Sequence, residues 1–481
     1  MGCGASAVAD VDDNNRQARL AEPRKSFFRN SIISSIISKE QQEEEVSDNE
    51  SVDSAIAVNE STEANENSEP KHLICATDVS IEFLLEMLSQ QFGKTIEPTG
   101  SWIAERLNNA SATEAAGLSA VVRVTFGWEV SEVGVPCSYV IKVPVSREAR
   151  EQDKGKVLYS MFKRECNSYE WVQNFPKIIA PRIHYIKKHA NEASGALIVM
   201  EDFSEGGEQG VARDGLPVEI VRDLLKRLAL IHAQSKRDGS WNTLILDLPT
   251  SHFAAHASKF LEVREFFERH EVEKSRMEAI KKYFTAEYLA STVTESADEL
   301  GLCRVLVHGQ PYAQNVFTKD GAVSGLLDWS ACHSGCFGED LAKAICWNLS
   351  MKERAEQTTS LLESYHIHLV RYAGPEMSLS YDVVRRAFAR FVPLAMVELL
   401  VKVLRSVDDH VNEPLFERAR TLIQNVYTND KLLAETEMHK TSVVSGGIEA
   451  LSKPSWIEAS VITAPSIAEQ RRSSREKASL I

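Results

Sequence analysis

The chain has 481 residues, 43% of them hydrophobic, and a formal net charge of −15. It is long enough for one two-lobed domain with tails and apolar enough for a sizeable core, and no apolar run reaches the ~18 residues of a membrane-spanning helix. The acidic total without an extended central basic patch argues against a nucleic-acid partner, and eight scattered cysteines with no secretory signal fit reduced cytoplasmic thiols rather than a disulfide framework.

The sequence opens Met-Gly-Cys-Gly-Ala-Ser. Gly2 with Ser6 matches the N-myristoylation pattern, and Cys3 beside it is a palmitoylation candidate. One acyl chain holds a membrane only marginally, so a second signal is needed. Cys3 can supply it, and so can residues 16–39, where six basic residues face one acid, Glu22. Phe27, Phe28, Ile32, Ile33, Ile36 and Ile37 interleave with these charges and suit the anionic inner leaflet. Ser26, after Arg24-Lys25, is a candidate phosphorylation site whose added charge would weaken that attachment. Residues 40–70 contain eleven Asp or Glu and no Lys or Arg, a composition expected to be disordered. The expectation is a cytoplasmic protein held at a membrane by a lipid anchor, neither transmembrane nor secreted.

Val122, Val124, Phe126, Trp128 and Val130 alternate with polar residues, which predicts a strand with one buried face. After a turn with Gly134 and Pro136, Tyr139–Pro144 reads as its hairpin partner. Lys142 lies inside that apolar strand, either as an edge residue facing water or as a phosphate ligand. A helix is predicted over 156–174, with Leu158, Phe162, Glu165 and Tyr169 on one face. A carboxylate on an apolar face is costly unless paired. Lys142 is the natural partner of Glu165; Lys163 or Arg164 on the surface is the alternative.

Residues 196–203 read as a buried strand ending in the acids Glu201 and Asp202, and the following Ser204-Glu-Gly-Gly suits a hinge whose backbone could meet an adenine ring. Residues 217–235 predict an amphipathic helix in which His232 has a structural hydrogen bond rather than a catalytic role. Long helices are expected over 256–300 and 350–430. Val392–Leu404 is a buried helix rather than a membrane span, because it contains Glu398 and Lys402.

Between the helical stretches stands Val305-Leu-Val-His308-Gly309-Gln310, then Asn315, a Lys319-Asp320-Gly321 turn, and Gly325-Leu-Leu-Asp328-Trp. The two apolar runs, 305–307 and 325–327, with the Asp-Gly turn between them, suggest a hairpin. Cys332, His333 and Cys336 lack a second ligand pair, so zinc is not expected. Near the end, Arg471-Arg-Ser-Ser474 resembles a site for basophilic kinases. Ser479-Leu480-Ile481 could add to a PDZ groove as a strand.

Taken in order, Gly117-Leu-Ser119-Ala-Val-Val-Arg-Val, Val-Ile-Lys142-Val-Pro, Phe-Lys-Arg-Glu165, Met-Glu201-Asp202-Phe, Leu-Ala-Leu-Ile-His232-Ala, Val-His308-Gly-Gln310 through Asn315, Leu-Leu-Asp328-Trp and Gly338-Glu-Asp340-Leu-Ala resemble the CHK kinase-like family. That family includes ecdysteroid kinase-like proteins and a nematode branch, and is related to choline/ethanolamine kinases and aminoglycoside phosphotransferases. The resemblance implies an α+β, two-lobed protein-kinase-like fold: a small β-rich N-lobe over 71–203 and a larger, mostly helical C-lobe over 204–437, between disordered tails at 1–70 and 438–481. It implies ATP and Mg²⁺ as cofactors and a small-molecule hydroxyl acceptor. Lys142 would bind the α/β-phosphates, Glu165 would hold Lys142, Gly117 and Ser119 would lie at the nucleotide loop, and Glu201 at the hinge. Asn315 and Asp328 would be the metal ligands, His308 would shape the catalytic loop, and Asp340 would brace it.

One position departs from the family pattern. Related enzymes have His-Gly-Asp where this chain has His308-Gly309-Gln310. The aspartate accepts the proton of the attacking hydroxyl, and a glutamine amide can bond that hydroxyl but cannot take its proton. General-base help is worth about 10²–10⁴ in rate, while a loose phosphoryl-transfer transition state depends mainly on positioning and metal electrostatics. Two readings follow: a weakened phosphotransferase, or a membrane-tethered pseudokinase that keeps nucleotide and acts as a scaffold or regulator.

Overall fold

In the computed structural model, hydrophobic alternation becomes a sheet and helical periodicity becomes the larger, helical part. The structure describes residues 72–444 except 76, 78, 97–101, 108–118, 129–133, 145–152, 190–195, 205, 246, 375–378 and 406–412. All of these belong to one compact unit, Pro70–Ile481. Gly2, Cys3, Ser26, the acidic stretch, Gly117 and the C-terminal serines and PDZ-like end lie outside the described residues.

Helix α1 (Ile81–Phe92) starts at Ser80, whose Oγ accepts the Phe83 N–H at 3.2 Å, and ends at left-handed Gly93. Strands β1 (Trp102–Arg106), β2 (Ser119–Phe126) and β3 (Ser138–Pro144) follow, then helix α2 (Asp153–Val172) and strands β4 (Ile183–Lys187) and β5 (Leu197–Glu201). The five strands form one antiparallel sheet in the order β1-β2-β3-β5-β4. The expected strand over 122–130 is thus shifted to 119–126. Trp128 lies past its end and stacks on Phe126 at 4.2 Å between ring centroids.

Successive strand side chains alternate between faces, and this sheet uses both. Tyr139, Ile141 and Val143 of β3 and Leu197 and Val199 of β5 join α1 in one apolar cluster. Val140, Ile198 and Met200 turn the other way, toward Phe162, Cys166 and Tyr169 of α2. Lys142 falls on this second face by parity, so its side chain is directed at α2.

The chain continues through β6 (Glu208–Gln209), α3 (Val218–Arg237), and four helices: α4 (Thr250–Ala257), α5 (Phe260–Arg269), α6 (Lys274–Ile280) and α7 (Ala286–Glu299). After β7 (Val305–Val307), β8 (Val316–Lys319), β9 (Ala322–Leu326) and β10 (His333–Gly335) come α8 (Gly338–Asn348), α9 (Met351–Ala373), α10 (Tyr381–Arg405) and α11 (Glu413–Val444). Every residue of α8 is buried, and a second, larger core surrounds it. Ser350 and Glu353 form a capping box at the start of α9. Helix α11 runs past 437, where the tail was expected to begin. Among the described residues no helix is long and apolar enough to cross a membrane.

The hairpin is real but its strands are not the expected pair. Residues 316–319 pair with 322–326, and Asp320 and Gly321 have φ of 52° and 74°, the left-handed pair that a tight two-residue hairpin turn demands. Val305–Val307 instead pairs with His333–Gly335. Two nearby apolar runs fit a hairpin equally well in sequence; the tertiary fold sends the first to a partner beyond Asp328.

Candidate active site

Fully buried β7 delivers the chain to His308 inside the core. Gly309 follows with φ of 81°, and a Cβ there would lie 2.7 Å from the Ala331 carbonyl oxygen, so the left-handed turn and the close approach both require glycine. The loop is tied down from α8. The His308 and Gly309 N–H groups each donate to Asp340 at 2.8 Å, one to each carboxylate oxygen. Asp340 is wholly buried and also accepts from His232 Nε2 at 3.0 Å, while His232 Nδ1 accepts from the Tyr365 hydroxyl at 2.8 Å. Burial alone would raise the Asp340 pKa; these donors hold it below the usual carboxylate range. His232 therefore sits behind the loop, bonded to the residue that fixes it.

His308 turns its ring inward. Its Nε2–H donates to the Leu327 carbonyl at 3.0 Å, and Nδ1 accepts the Gln310 N–H at 3.2 Å. Burial lowers its pKa, which keeps the ring neutral in this arrangement. The Leu327 N–H donates to the Asn315 carbonyl at 2.8 Å, so the loop and the segment leading to Asp328 are stitched together. Asn315 Nδ2 donates to the Gln310 carbonyl at 3.0 Å.

Among the described residues Asp328 is one of four non-glycine residues with positive φ, at φ 56° and ψ 72°. This costs about 1–2 kcal/mol and recurs at functional sites. Its Oδ1 accepts from Ser330 Oγ at 2.7 Å and from Lys142 Nζ at 3.2 Å, across 186 residues of sequence. Lys142 Nζ also lies 2.5 Å from Glu165 Oε2 on α2. The surface pairing of Glu165 with Lys163 or Arg164 is not the one formed.

One ammonium thus stands between two carboxylates. Burial opposes its charge, but Asp328 and Glu165 together raise its pKa. Asp328 is held down to about 2, chiefly by Lys142 against the cost of burial. Glu165, almost fully enclosed, is pushed up to about 7 by burial against the pull of Lys142.

The remaining expected residues fall differently. Ser119 opens β2 opposite Pro144, two positions along β3 from Lys142. Glu201 ends β5, is exposed, and its carboxylate accepts the Arg182 N–H at 3.0 Å, just ahead of β4. Its neighbour Asp202 is the buried one, accepting from Arg123 Nε at 2.7 Å, Ser138 Oγ at 2.6 Å and the Ser204 N–H at 2.9 Å. The strand pattern marked both acids; only tertiary contacts separate their roles.

Several residues of the site carried no local signal. Lys343 of α8 donates to the Gly309 carbonyl at 3.0 Å and meets Glu339 at 2.7 Å and Glu398 at 2.8 Å. Asn348 accepts the Ala313 N–H at 2.9 Å and donates to the Pro311 carbonyl at 3.1 Å. Lys402 of α10 lies over the Tyr312 ring.

The donor set suits a hard divalent cation shared with phosphates. Among the described residues no protein donor reaches Asp328 Oδ2 or Asn315 Oδ1, because their bonds use Oδ1 and Nδ2 respectively. No group of three or more His, Cys, Asp or Glu there could hold a metal alone. One carboxylate and one amide oxygen fit Mg²⁺, which keeps waters and takes its other ligands from substrate phosphates.

The DUF1679 family model, described as "Uncharacterized oxidoreductase dhs-27", matches residues 142–440, from Lys142 through all of the loop residues above. No curated protein matches the chain. Among solved structures it is similar to a choline kinase from Cryptosporidium parvum Iowa II, at 13% identity over 74% of this chain and 97% of that one, with a TM-score of 0.46. It is similar to an ethanolamine kinase from Plasmodium vivax at 11% identity, 76% and 98% coverage and a TM-score of 0.41. It also resembles the macrolide 2'-phosphotransferase MphH from Brachybacterium faecium at 13% identity, 71% and 98% coverage and a TM-score of 0.39. At such values these likenesses carry no residue role across. The family match spans more than half of the 481 residues and contains the whole lysine–carboxylate site, and on that ground the chain belongs to the DUF1679 family.

Proposed function

We propose that this protein is a kinase-like small-molecule phosphotransferase that moves the ATP γ-phosphoryl group to a hydroxyl acceptor, weakened by Gln310. The observation that carries this reading is the position of Lys142, bonded at once to Glu165 and Asp328 from three separate elements. Such an ammonium, beside a carboxylate and an amide able to share Mg²⁺, is what a triphosphate requires: fixed positive charge where negative charge concentrates. Bound Mg-ATP would supply the transferable phosphoryl group and neutralise charge on its oxygens. The chain's own part is positional. Asp340 fixes the backbone of His308 and Gly309, Asn315 and Asp328 would hold the cation, and Gln310 could orient a hydroxyl without removing its proton.

The word "oxidoreductase" in the family's description finds no support here. Dinucleotide-dependent dehydrogenases of the doubly wound type need a parallel sheet with a glycine-rich crossover, and every strand pair among the described residues is antiparallel.

A second reading, nucleotide binding without turnover, is favoured by one observation, the amide at position 310. Titration calorimetry with Mg-ATP, followed by transfer of labelled phosphate across a panel of hydroxylated small molecules, separates the two. Binding with transfer supports the first reading, and binding alone supports the second. If Mg-ATP does not bind, both fail.

A further inference from the structure

A single peptide sets the loop that carries residue 310. The peptide joining Gly309 to Gln310 is held at both ends: its carbonyl accepts from Lys343 Nζ at 3.0 Å, and its N–H donates to His308 Nδ1 at 3.2 Å. Gly309 has φ of 81° and no Cβ, so its own backbone places little restraint on the plane of that peptide. The bonds at its two ends decide which way it faces. The next carbonyl, that of Gln310, accepts from Asn315 Nδ2 and from the Tyr312 N–H, each at 3.0 Å. A turn of the Gly309–Gln310 peptide therefore displaces the partner that fixes the Asn315 amide.

Lys343 is an unusual residue for its place. Every residue of α8 is buried. Replacing a buried ion pair by packed apolar groups is often neutral or stabilising, so packing alone does not call for an ammonium there. Its three N–H donors are all used. Two go to Glu339 Oε1 at 2.7 Å and Glu398 Oε2 at 2.8 Å, and the third goes to the Gly309 carbonyl. Burial opposes its charge, but the two glutamates outweigh that and raise its pKa, so the ammonium is permanent. Glu339 is bonded through its other oxygen to His333 Nε2 at 3.1 Å. The Gly309 carbonyl thus points at a cation whose counter-charges are fixed on α8 and α10. A peptide turned the other way would bring its N–H toward that cation instead, which is repulsive.

We propose, resting on the phosphotransferase reading of this site, that Lys343 is a positioning residue for the Mg²⁺ of the bound nucleotide. By holding the Gly309 carbonyl it fixes the Gln310 carbonyl, which engages Asn315 Nδ2 and leaves Asn315 Oδ1 to the cation. Lys343 acts through the backbone and would not itself touch the metal. Outer groups that orient a metal ligand are typically worth about ten- to a hundredfold in metal affinity.

The test measures binding of a non-hydrolysable ATP analogue to the full chain by calorimetry, with Mg²⁺ and in EDTA, together with hydrogen exchange of the loop, 308–315. Lys343→Met/Glu398→Gln removes the ammonium and the carboxylate that would be left unpaired. Lys343→Met/Glu398→Leu, with apolar groups filling the space, is read in the same way if the first does not fold. Glu398→Gln alone keeps the ammonium and its bond to the loop. Wild type is expected to gain affinity on addition of Mg²⁺. The double variant should lose about ten- to a hundredfold of that gain, keep its affinity in EDTA within about twofold, and exchange faster over the loop. Glu398→Gln should keep both the gain and the protection. The proposal is overturned if the double variant keeps the gain, if it loses affinity by the same factor with and without Mg²⁺, or if Glu398→Gln alone loses as much. It is also overturned if neither double variant folds, which makes Lys343 a residue of the core. A wild type that binds no nucleotide in either condition overturns the phosphotransferase reading and the proposal with it. Binding in EDTA that Mg²⁺ does not strengthen overturns the proposal alone.

Discussion

One side of the cleft, built by β3, α2 and the Asp328 segment, carries a closed set of charges: Lys142 between Glu165 and Asp328, with Asn315 alongside. The other side, built by the Gln310 loop and α10, carries an amide, an aromatic ring and a lysine in a half-buried setting. Both rest on the same buried scaffold of Asp340, His232 and Lys343. The difference teaches that fixed charge and proton transfer are separable parts of such a site. The first side places one buried ammonium between two carboxylates, the arrangement on which the proposed triphosphate site rests. The second presents an amide at position 310, on a loop tied to Asp340 and Lys343.

If that separation is correct, restoring the base should produce the largest effect. Gln310→Asp is expected to raise phosphate transfer by about 10²–10⁴ with little change in Mg-ATP affinity. Equal turnover in wild type and variant, measured with one acceptor, would mean that position 310 does not limit the reaction. The complementary change tests the charged side. Lys142→Met should weaken Mg-ATP by about ten- to a hundredfold in calorimetry, the worth of a charge-assisted contact of about 1.5–3 kcal/mol. It should leave the gain from Gln310→Asp intact at saturating Mg-ATP; loss of both would show that the two sides are coupled.

Asn348 sharpens the comparison from the structural side. It bonds the backbone of Pro311 and Ala313, both on the acceptor side of the loop. Asn348→Ala leaves these groups buried without it, so thermal unfolding should report a loss of about 1–3 kcal/mol, with acceptor binding hurt more than Mg-ATP binding. Equal damage to both would argue for a general loosening.

The shared scaffold gives the smallest effect, and a pH signature. Both ring nitrogens of His333 face oxygen acceptors, Ala331 O at 2.9 Å and Glu339 at 3.1 Å. Burial lowers its pKa, but Glu339 outweighs that and the net shift is upward. A group whose folded pKa is raised contributes stability that is complete below its unfolded value, about 6.5, and lost as pH rises through the folded value. The melting temperature should therefore fall as pH rises above about 6.5, and His333→Gln should remove that part of the fall. An unchanged pH profile in the variant would deny His333 the charge assigned to it.

Much of the charged side was legible in the chain because its residues sit in strongly patterned elements. Lys142 interrupts an apolar strand, Glu165 an apolar helix face, and Asn315 and Asp328 flank an Asp-Gly turn. The acceptor side was not, because Tyr312 and Lys402 have no local pattern and meet only when α10 crosses the loop. Lys402 read simply as a charge that spoils a membrane span. Glu201 and Asp202 stand side by side, and which of them is buried depends on Arg123 and Ser138 from neighbouring strands. The strand partner of Val305–Val307 was misplaced for the same reason, since apolar character does not encode which apolar segment lies opposite.

By itself the sequence determined a strand hairpin and a further strand followed by helices, the order of the charged residues along them, and the amide at 310, because periodicity and residue chemistry are local properties. The tertiary structure alone decided which charges share a partner. Lys142 and Asp328 are 186 residues apart, and their pairing exists only because strand parity turns one toward α2 and a left-handed backbone turns the other toward β3. The same is true of Lys402, whose place over the Tyr312 ring follows from helix packing and from nothing in its own neighbourhood of sequence.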